Sequence, residues 1–136
     1  MGWIDRLPHQ PPMRLVDHVV EVIPGERAVA RRMTESGDFY FRGHFPGSPV
    51  VPAIILVEML AQTGGLAAAA GEPEGGPFQL RIAAIDSFKF PAAAGPSVTL
   101  EATARVTGRF GRLYKIEGDV KADGRLVASG ALTLAG

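Results

Sequence analysis

The sequence predicts an α+β fold in which a curled antiparallel sheet of five or six strands wraps around one long central helix. An almost unbroken apolar run over residues 53–70 is long enough for a buried helix. Two β-type segments precede this run, and the chain from residue 78 onward contains only β-type segments separated by turns. With 136 residues, 46% of them hydrophobic, the chain can bury one real core, which predicts a single domain over residues 1–136.

The segments before the helix are predicted to be an irregular arm, two strands and a long loop. Prolines 8, 11 and 12 disfavour regular structure at the start of the chain. Residues 14–23 (RLVDHVVEVI) are rich in valine and end at Pro24-Gly25, which predicts a strand and then a turn. Residues 26–33 (ERAVARRM) alternate apolar and basic side chains, as in a strand with one solvent-facing side. A loop rich in proline and glycine follows over residues 37–52.

The central helix is predicted over residues 53–70. Pro52 is suited to the first helical turn, and the following residues are apolar nearly all round, which indicates burial on every side. Gly64 and Gly65 weaken the helix internally, and Gly71 with Pro73 predicts its end. Residues 71–77 (GEPEGGP) have the composition of a flexible surface loop.

The last part of the chain is predicted to form four strands, over residues 78–90, 98–106, 113–121 and 126–134. Apolar and polar residues alternate in the second of these, which favours a half-buried strand. Asp123-Gly124 between the last two is a strong signal for a tight hairpin. A sheet of this kind around one buried helix is typical of the hot-dog fold.

Composition and motifs exclude several functional classes. The formal net charge is zero, with 14 basic and 14 acidic residues, which argues against a nucleic-acid or membrane-surface partner. The chain has no cysteine and no histidine pair with metal-ligand spacing, so neither a thiolate nucleophile nor a metal site is expected. Glycine-rich phosphate-binding motifs are absent, and no cofactor is expected. Because the start of the chain resembles no secretory signal, and the apolar run reads as too short and too polar for a membrane span, a cytoplasmic protein is predicted.

Glu58 is a candidate catalytic group because it interrupts the apolar run. Apolar neighbours in the sequence should desolvate the carboxyl and raise its pKa, which suits a general acid. Alternatively, Glu58 lies on a thin exposed stripe of the helix or pairs with a buried arginine. Gln62, one helical turn later on the same face, could orient this carboxyl or could satisfy a buried polar group elsewhere.

His44 is a candidate base because glycine and proline on both sides restrict its backbone. Neutral histidine is the natural base near pH 7, and a base requires a fixed direction. The alternative is a histidine that only satisfies carbonyl groups of the loop. His9 in the arm and His18 on a strand are predicted to be structural or solvated.

The segment GHFPGSPVVPAIILVEMLAQ (residues 43–62) closely resembles the active-site segment of the beta-hydroxyacyl-acyl-carrier-protein dehydratases, the FabZ and FabA group. LPHQPPMRLVDHV (7–19), IDSFKFPAAAG (85–95) and LVASGALTLA (126–135) resemble other parts of the same family, so the resemblance covers nearly the whole chain. Glutamate at the acidic position is like FabZ, whereas FabA has aspartate there.

The resemblance implies a mechanism and a set of site residues. His44 removes the α proton of a 3-hydroxyacyl thioester, and Glu58 helps the β hydroxyl to leave as water. The N–H of Ala53 meets the thioester carbonyl at the start of the helix, and the carbonyl of Val50 orients His44. Gly47 and Gln62 are also assigned to the substrate-binding site.

The resemblance further implies an acyl-carrier protein as the partner that brings the substrate. It also implies a homodimer whose opposite subunits supply His44 and Glu58 to each acyl tunnel, and such dimers often assemble in threes. This chain departs from the family in having Ala53 where glycine is usual. It also has Lys89-Phe90-Pro91 and Ala94-Gly95-Pro96 where a more basic turn is usual. A divergent member is therefore expected, and a hot-dog thioesterase or a non-catalytic acyl- or carrier-binding subunit are the alternatives.

Overall fold

The computed structural model of the protein describes residues 2–72 and 79–136, and in this part of the chain six strands form one antiparallel sheet. The order across the sheet is β1-β2-β4-β5-β6-β3, so β1 and β3 are its edges. One α-helix, α1 (Ala53–Ala70), and two short 3₁₀ turns complete the described structure. The predicted hot-dog architecture is confirmed. The strands are β1 (His18–Ile23), β2 (Arg27–Met33), β3 (Arg81–Lys89), β4 (Thr99–Phe110), β5 (Leu113–Ala122) and β6 (Arg125–Ala135).

The helix α1 packs against β1, β2, β4, β5 and β6, so that the sheet surrounds most of its circumference. Its bounds are those predicted, and it continues without a break through Gly64 and Gly65. A Cβ atom on Gly64 would lie 2.8 Å from Cγ2 of Ile116 on β5. The missing side chain therefore lets the helix approach the sheet closely, which is what stabilises a helix with this glycine pair.

The same helix could cross a membrane by length and composition, since its mean hydropathy is 1.6 over 18 residues. The expectation that this run is too short and too polar for a span was therefore wrong. However, 67% of the helix is buried inside the protein, as expected for the core of a folded domain. The sheet thus covers most apolar residues of α1, although Ile54 at its start is 71% exposed.

The strand β1 begins at His18, four residues later than predicted. Leu15 and Val16 are fully buried, but the backbone N–H of Leu15 donates to Oε1 of Gln62 on α1. This long-range contact ties the segment to the helix, so Leu15 and Val16 are buried without belonging to the strand. The valine-rich pattern therefore predicted the strand correctly but placed its start too early.

The later strands agree with the prediction, apart from their ends. β4 continues to Phe110 past an irregularity between Val106 and Gly108. Asp123 and Gly124 both have positive φ, at 47° and 87°, which confirms the tight hairpin between β5 and β6. Gly71 caps α1, with its N–H bonded to carbonyl groups of the last turn. The described residues stop at 72 and resume at 79. Residues 73–77 of the predicted loop and the predicted strand start at residue 78 therefore lie outside them.

Candidate active site

The loop before α1 holds His44 by two hydrogen bonds to one residue. The N–H of Val50 donates to the backbone oxygen of His44 at 2.9 Å, and Nδ1 of His44 lies 3.0 Å from the carbonyl oxygen of Val50. Between them, Phe45 and Ser48 bond reciprocally across a turn in which Gly47 has φ 75°. A turn with proline followed by residues at positive φ needs glycine at that point, which explains the Pro46-Gly47 pair.

The contact with Val50 determines which nitrogen of His44 can act as a base. A carbonyl oxygen only accepts hydrogen bonds, so in the neutral ring Nδ1 carries the proton and Nε2 keeps its lone pair. The ring also stacks on Phe45, with centroids 4.2 Å apart, which limits its rotation. The half-buried imidazole is therefore held in one orientation with a free acceptor nitrogen.

A partly buried polar network supports the segment that leads into this loop. Arg32 on β2 bonds to Tyr40 and to Asp38, and the hydroxyl of Tyr40 donates to Asp38 at 2.7 Å. Burial raises the pKa of Tyr40 to about 12, so this hydroxyl stays protonated and remains a donor at neutral pH. The next residue, Phe41, accepts the N–H of His44 at 3.2 Å, so the network fixes the start of the His44 loop.

The start of α1 presents unbonded N–H groups next to this loop. In the described structure, no hydrogen bond reaches the N–H of Ala53 or of Ile54. Pro52 precedes them as the N-cap, and the N–H of Val51 is bonded to the carbonyl oxygen of Ala94 at 2.8 Å. Ala53 is exposed, so its N–H is accessible and lies at the positive end of the helix dipole. The predicted site for a thioester oxygen is therefore geometrically open.

Glu58 lies on the face of α1 that meets the N-terminal arm, which comprises residues 7–17. Nε2 of Gln62 donates to Oε2 of Glu58 at 2.9 Å, so the predicted pairing along the helix is present. The same amide binds the arm, since Nε2 also donates to the oxygen of Met13 at 2.8 Å and Oε1 accepts the N–H of Leu15. Gln62 is only 1% exposed, so its amide is fixed in one orientation.

His9 is the site residue that sequence reasoning missed. Its Nε2 lies 3.7 Å from Oε2 of Glu58, and each of the two side chains is 25% exposed. Both residues line a cavity of about 170 Å³ between the arm, α1 and β3. Glu58 is therefore surrounded by polar groups and solvent on one side, because its apolar sequence neighbours Leu56, Val57, Met59 and Leu60 turn into the core. In the part of the chain that the structure describes, Glu58 neither pairs with an arginine nor lies in an enclosed apolar shell.

His44 and Glu58 are not brought together within one chain. None of the hydrogen bonds or ion pairs of the described residues joins them, and His44 does not line the cavity beside Glu58. His18 lies exposed on β1, and none of the hydrogen bonds or ion pairs of the described residues joins it to either group. Across residues 2–72 and 79–136, no cluster of three or more acidic or histidine side chains is placed to hold a metal ion.

Together, a helix wrapped by an antiparallel sheet, a fixed histidine and free N–H groups at the helix start define a hot-dog protein with a candidate acid–base site. The chain belongs to the FabA-like family, since the family model of the FabA-like domain matches residues 7–131.

Curated relatives agree with this family assignment, and a solved structure agrees with the fold. The FabZ 3-hydroxyacyl-[acyl-carrier-protein] dehydratase of Roseiflexus sp. (strain RS-1) is 36% identical over 95% of this chain and 90% of its own length. The FabZ of Streptococcus sanguinis (strain SK36) is 38% identical over 96% and 92%. The dehydratase heterocomplex ApeI:P from Xenorhabdus doucetiae matches with a TM-score of 0.76, covering 97% of this chain and 89% of that one. Its 18% sequence identity supports the fold alone.

Proposed function

We propose that the protein dehydrates (3R)-3-hydroxyacyl thioesters on an acyl-carrier protein to trans-2-enoyl thioesters, in fatty-acid or related acyl-chain biosynthesis. The observation that carries the proposal is the orientation of His44. Its Nδ1 is committed to the oxygen of Val50, which leaves Nε2 as a directed base in a chain of the FabA-like family. The proposal requires no metal and no cofactor, and it places the enzyme, a single hot-dog domain, in the cytoplasm.

The first half of the reaction takes place at the start of α1. The thioester carbonyl accepts the N–H of Ala53, where the helix dipole stabilises negative charge on the oxygen. This polarisation acidifies the hydrogens on C2, and Nε2 of His44 removes one of them. Gly47, in the turn that follows His44, has no side chain that would block the thioester.

The second half requires a proton donor at the β hydroxyl. As the C2–H electron pair forms the C2–C3 double bond, the C3–O bond breaks, and protonated Glu58 delivers its proton so that water leaves. His44 has gained one proton and Glu58 has lost one, so solvent restores both groups before the next turnover. Gln62 keeps the carboxyl in place during this exchange.

Because one chain does not join His44 to Glu58, we infer that a homodimer completes each site with His44 from one protomer and Glu58 from its partner. The edge strand β3 supports this inference, since among the described strands it pairs with β6 alone and has no neighbour on its other side. Ile85 on this strand is 53% exposed, and an exposed apolar edge favours pairing with a second copy. We further propose that three such dimers assemble into a trimer of dimers.

The carrier is proposed to be an acidic acyl-carrier protein that meets exposed basic side chains near the site. Arg42 in the loop and Arg81 and Lys89 at the two ends of β3 are all exposed. They replace part of the basic turn that the family usually has. Coenzyme A is the competing carrier, and the two are distinguished by comparing kcat/KM for the same acyl group on each.

Turnover of 3-hydroxyacyl thioesters on both carriers tests the proposal. The wild type is expected to form the enoyl product, and His44→Ala and Glu58→Gln are each expected to lower kcat by about 100-fold or more. Product is measured by ultraviolet absorbance and mass spectrometry, and folding of each variant by circular dichroism. A folded wild type that makes no enoyl product on either carrier at several chain lengths contradicts the proposed function.

A further inference from the structure

His9 comes close to the carboxyl of Glu58 from the N-terminal arm. The distance of 3.7 Å between Nε2 of His9 and Oε2 of Glu58 is within ion-pair range and somewhat longer than a hydrogen bond. The two side chains form part of the wall of the same cavity of about 170 Å³. A histidine beside the group assigned as the acid can influence how that acid is held.

The arm holds His9 in place through anchors on both sides. Leu7, two residues before it, is buried at 7% exposure. After it, the N–H of Met13 bonds to the oxygen of Gln10 at 2.9 Å, and the oxygen of Met13 accepts the buried amide of Gln62. The position of the His9 ring is therefore fixed by contacts that do not depend on the ring itself.

Both polar contacts of the Glu58 carboxyl converge on the same oxygen. Gln62 donates to Oε2 at 2.9 Å and His9 faces Oε2, whereas no donor among the described residues reaches Oε1. Nδ1 of His9 is buried and has no hydrogen-bond partner in the described structure. The neutral ring is therefore best satisfied with its proton on Nε2, directed at the carboxyl.

Of the described residues that line the cavity, the one other charged residue is Arg81 at the start of β3. Within the described chain, no ion pair links Arg81 to Glu58, and the Arg81 side chain is exposed. Among the basic side chains that the structure describes, His9 is thus the one close enough to Glu58 to act on its carboxyl.

We propose that His9 is a positioning residue that, together with Gln62, holds Oε2 of Glu58 so that Oε1 presents its proton to the substrate hydroxyl. This inference rests on the proposed dehydratase function and adds a third polar group to its acid side. A carboxyl anchored at one oxygen has one orientation, and loss of one anchor lets it rotate away from the reacting atoms.

Steady-state kinetics of His9→Phe and His9→Gln test this role. Phe keeps the ring volume without an N–H, so kcat is expected to fall by about 10- to 100-fold with KM within a few-fold of wild type, as for a misplaced catalytic group. Gln retains an N–H donor that can face Oε2, so most of the lost kcat is expected to return. In His9→Ala, added imidazole can occupy the vacated ring space, and it is expected to restore part of kcat in a saturable manner.

The matched control is His18→Ala, since His18 is an exposed histidine of the same chain outside the site, and its kcat is expected to equal that of wild type. Wild-type kcat in folded His9→Phe overturns the inference. So does an equal loss in His9→Gln and His9→Phe without imidazole rescue of His9→Ala. If the wild type itself makes no enoyl product, the proposed function fails and the role of His9 falls with it. If the wild type forms enoyl product and the His9 variants keep wild-type kcat, the inference about His9 is overturned and the proposed function stands.

Discussion

At the scale of single residues, Ala53 decides whether the helix start can bind the thioester oxygen. The methyl group is a departure from the glycine usual in the family, but the N–H that faces solvent is a backbone group and is present with either side chain. The required interaction therefore depends on the donor, and the side chain affects only the space around it. Separating the two effects requires a substitution that removes the donor and keeps the helix.

Ala53→Pro removes the N–H donor and is expected to keep the helix, because the backbone at this position is compatible with proline. Proline is favoured in the first helical turn, and Pro52 has φ −58° and ψ 141°, an extended conformation that a following proline requires. Loss of the N–H is expected to lower kcat by about 100- to 1,000-fold, as for other oxyanion donors, with the melting temperature unchanged. Ala53→Gly retains the N–H and is the control, with kcat expected within a few-fold of wild type. Wild-type kcat in Ala53→Pro would show that the thioester carbonyl binds elsewhere.

Sequence reasoning identified some site residues and missed another for a physical reason. His44, Glu58 and Gln62 lie in one continuous segment, where local turn signals and the spacing of one helical turn are visible. His9 contacts Glu58 only because Gln62 ties the arm to α1, with bonds to Met13 and Leu15. A contact created by tertiary folding leaves no local pattern, although an arm histidine before a proline pair was available as a clue.

At the scale of secondary-structure elements, α1 shows how two adjacent glycines can have opposite effects. Gly64 faces the sheet, where a Cβ atom would lie within 3.2 Å of three atoms of Ile116. Gly65 faces away, and a Cβ atom there would meet nothing within 4 Å. Both glycines destabilise the helix through conformational entropy. Only at Gly64 does the missing side chain offset part of this loss, because it permits the close packing of α1 on β5.

The expected stability changes of Gly64→Ala and Gly65→Ala therefore differ in sign. Alanine at 65 is expected to raise the free energy of unfolding by about 0.5–1 kcal/mol through helix propensity. Alanine at 64 gains the same propensity but overpacks against Ile116 at a cost of about 1–3 kcal/mol, so a net loss of about 1 kcal/mol is expected. Urea denaturation at one fixed protein concentration measures both, since subunit association also stabilises the fold. Stabilisation by both substitutions would mean that the sheet yields to the added methyl group.

The elements that were predicted most accurately are those with local boundaries. Pro52 and Gly71 delimit α1 in the sequence, and Asp123-Gly124 specifies the β5–β6 hairpin through its backbone conformation. The start of β1 was misplaced because the N–H of Leu15 bonds to a helix side chain instead of a neighbouring strand. The position of β3 at the edge of the sheet was likewise not readable from the sequence, because the strand order depends on pairing between residues far apart in the chain.

At the scale of the whole molecule, the exposed β3 and the separation of His44 from Glu58 have one common explanation. An edge strand with Ile85 53% exposed is an unfavourable surface for an isolated chain, and the site of an isolated chain is incomplete. Two-fold association would cover the exposed edge strand and complete the site, because a closed dimer uses the same surface on both copies. The proposed homodimer is thus a condition of activity, and it predicts that inactive subunits can restore one another.

Mixing His44→Ala subunits with Glu58→Gln subunits tests that condition directly. Each mixed dimer has one site with both groups intact and one site with neither, so purified mixed dimers are expected to have about half of wild-type activity. The subunits are co-expressed with different tags, mixed dimers are purified through both tags, and enoyl product is measured. His44→Ala paired with the His44→Ala/Glu58→Gln double variant is the control, because no arrangement of those subunits gives an intact site. Background activity in verified mixed dimers of the first kind would place both groups of each site in a single chain, since a site built from one subunit cannot be repaired by its partner.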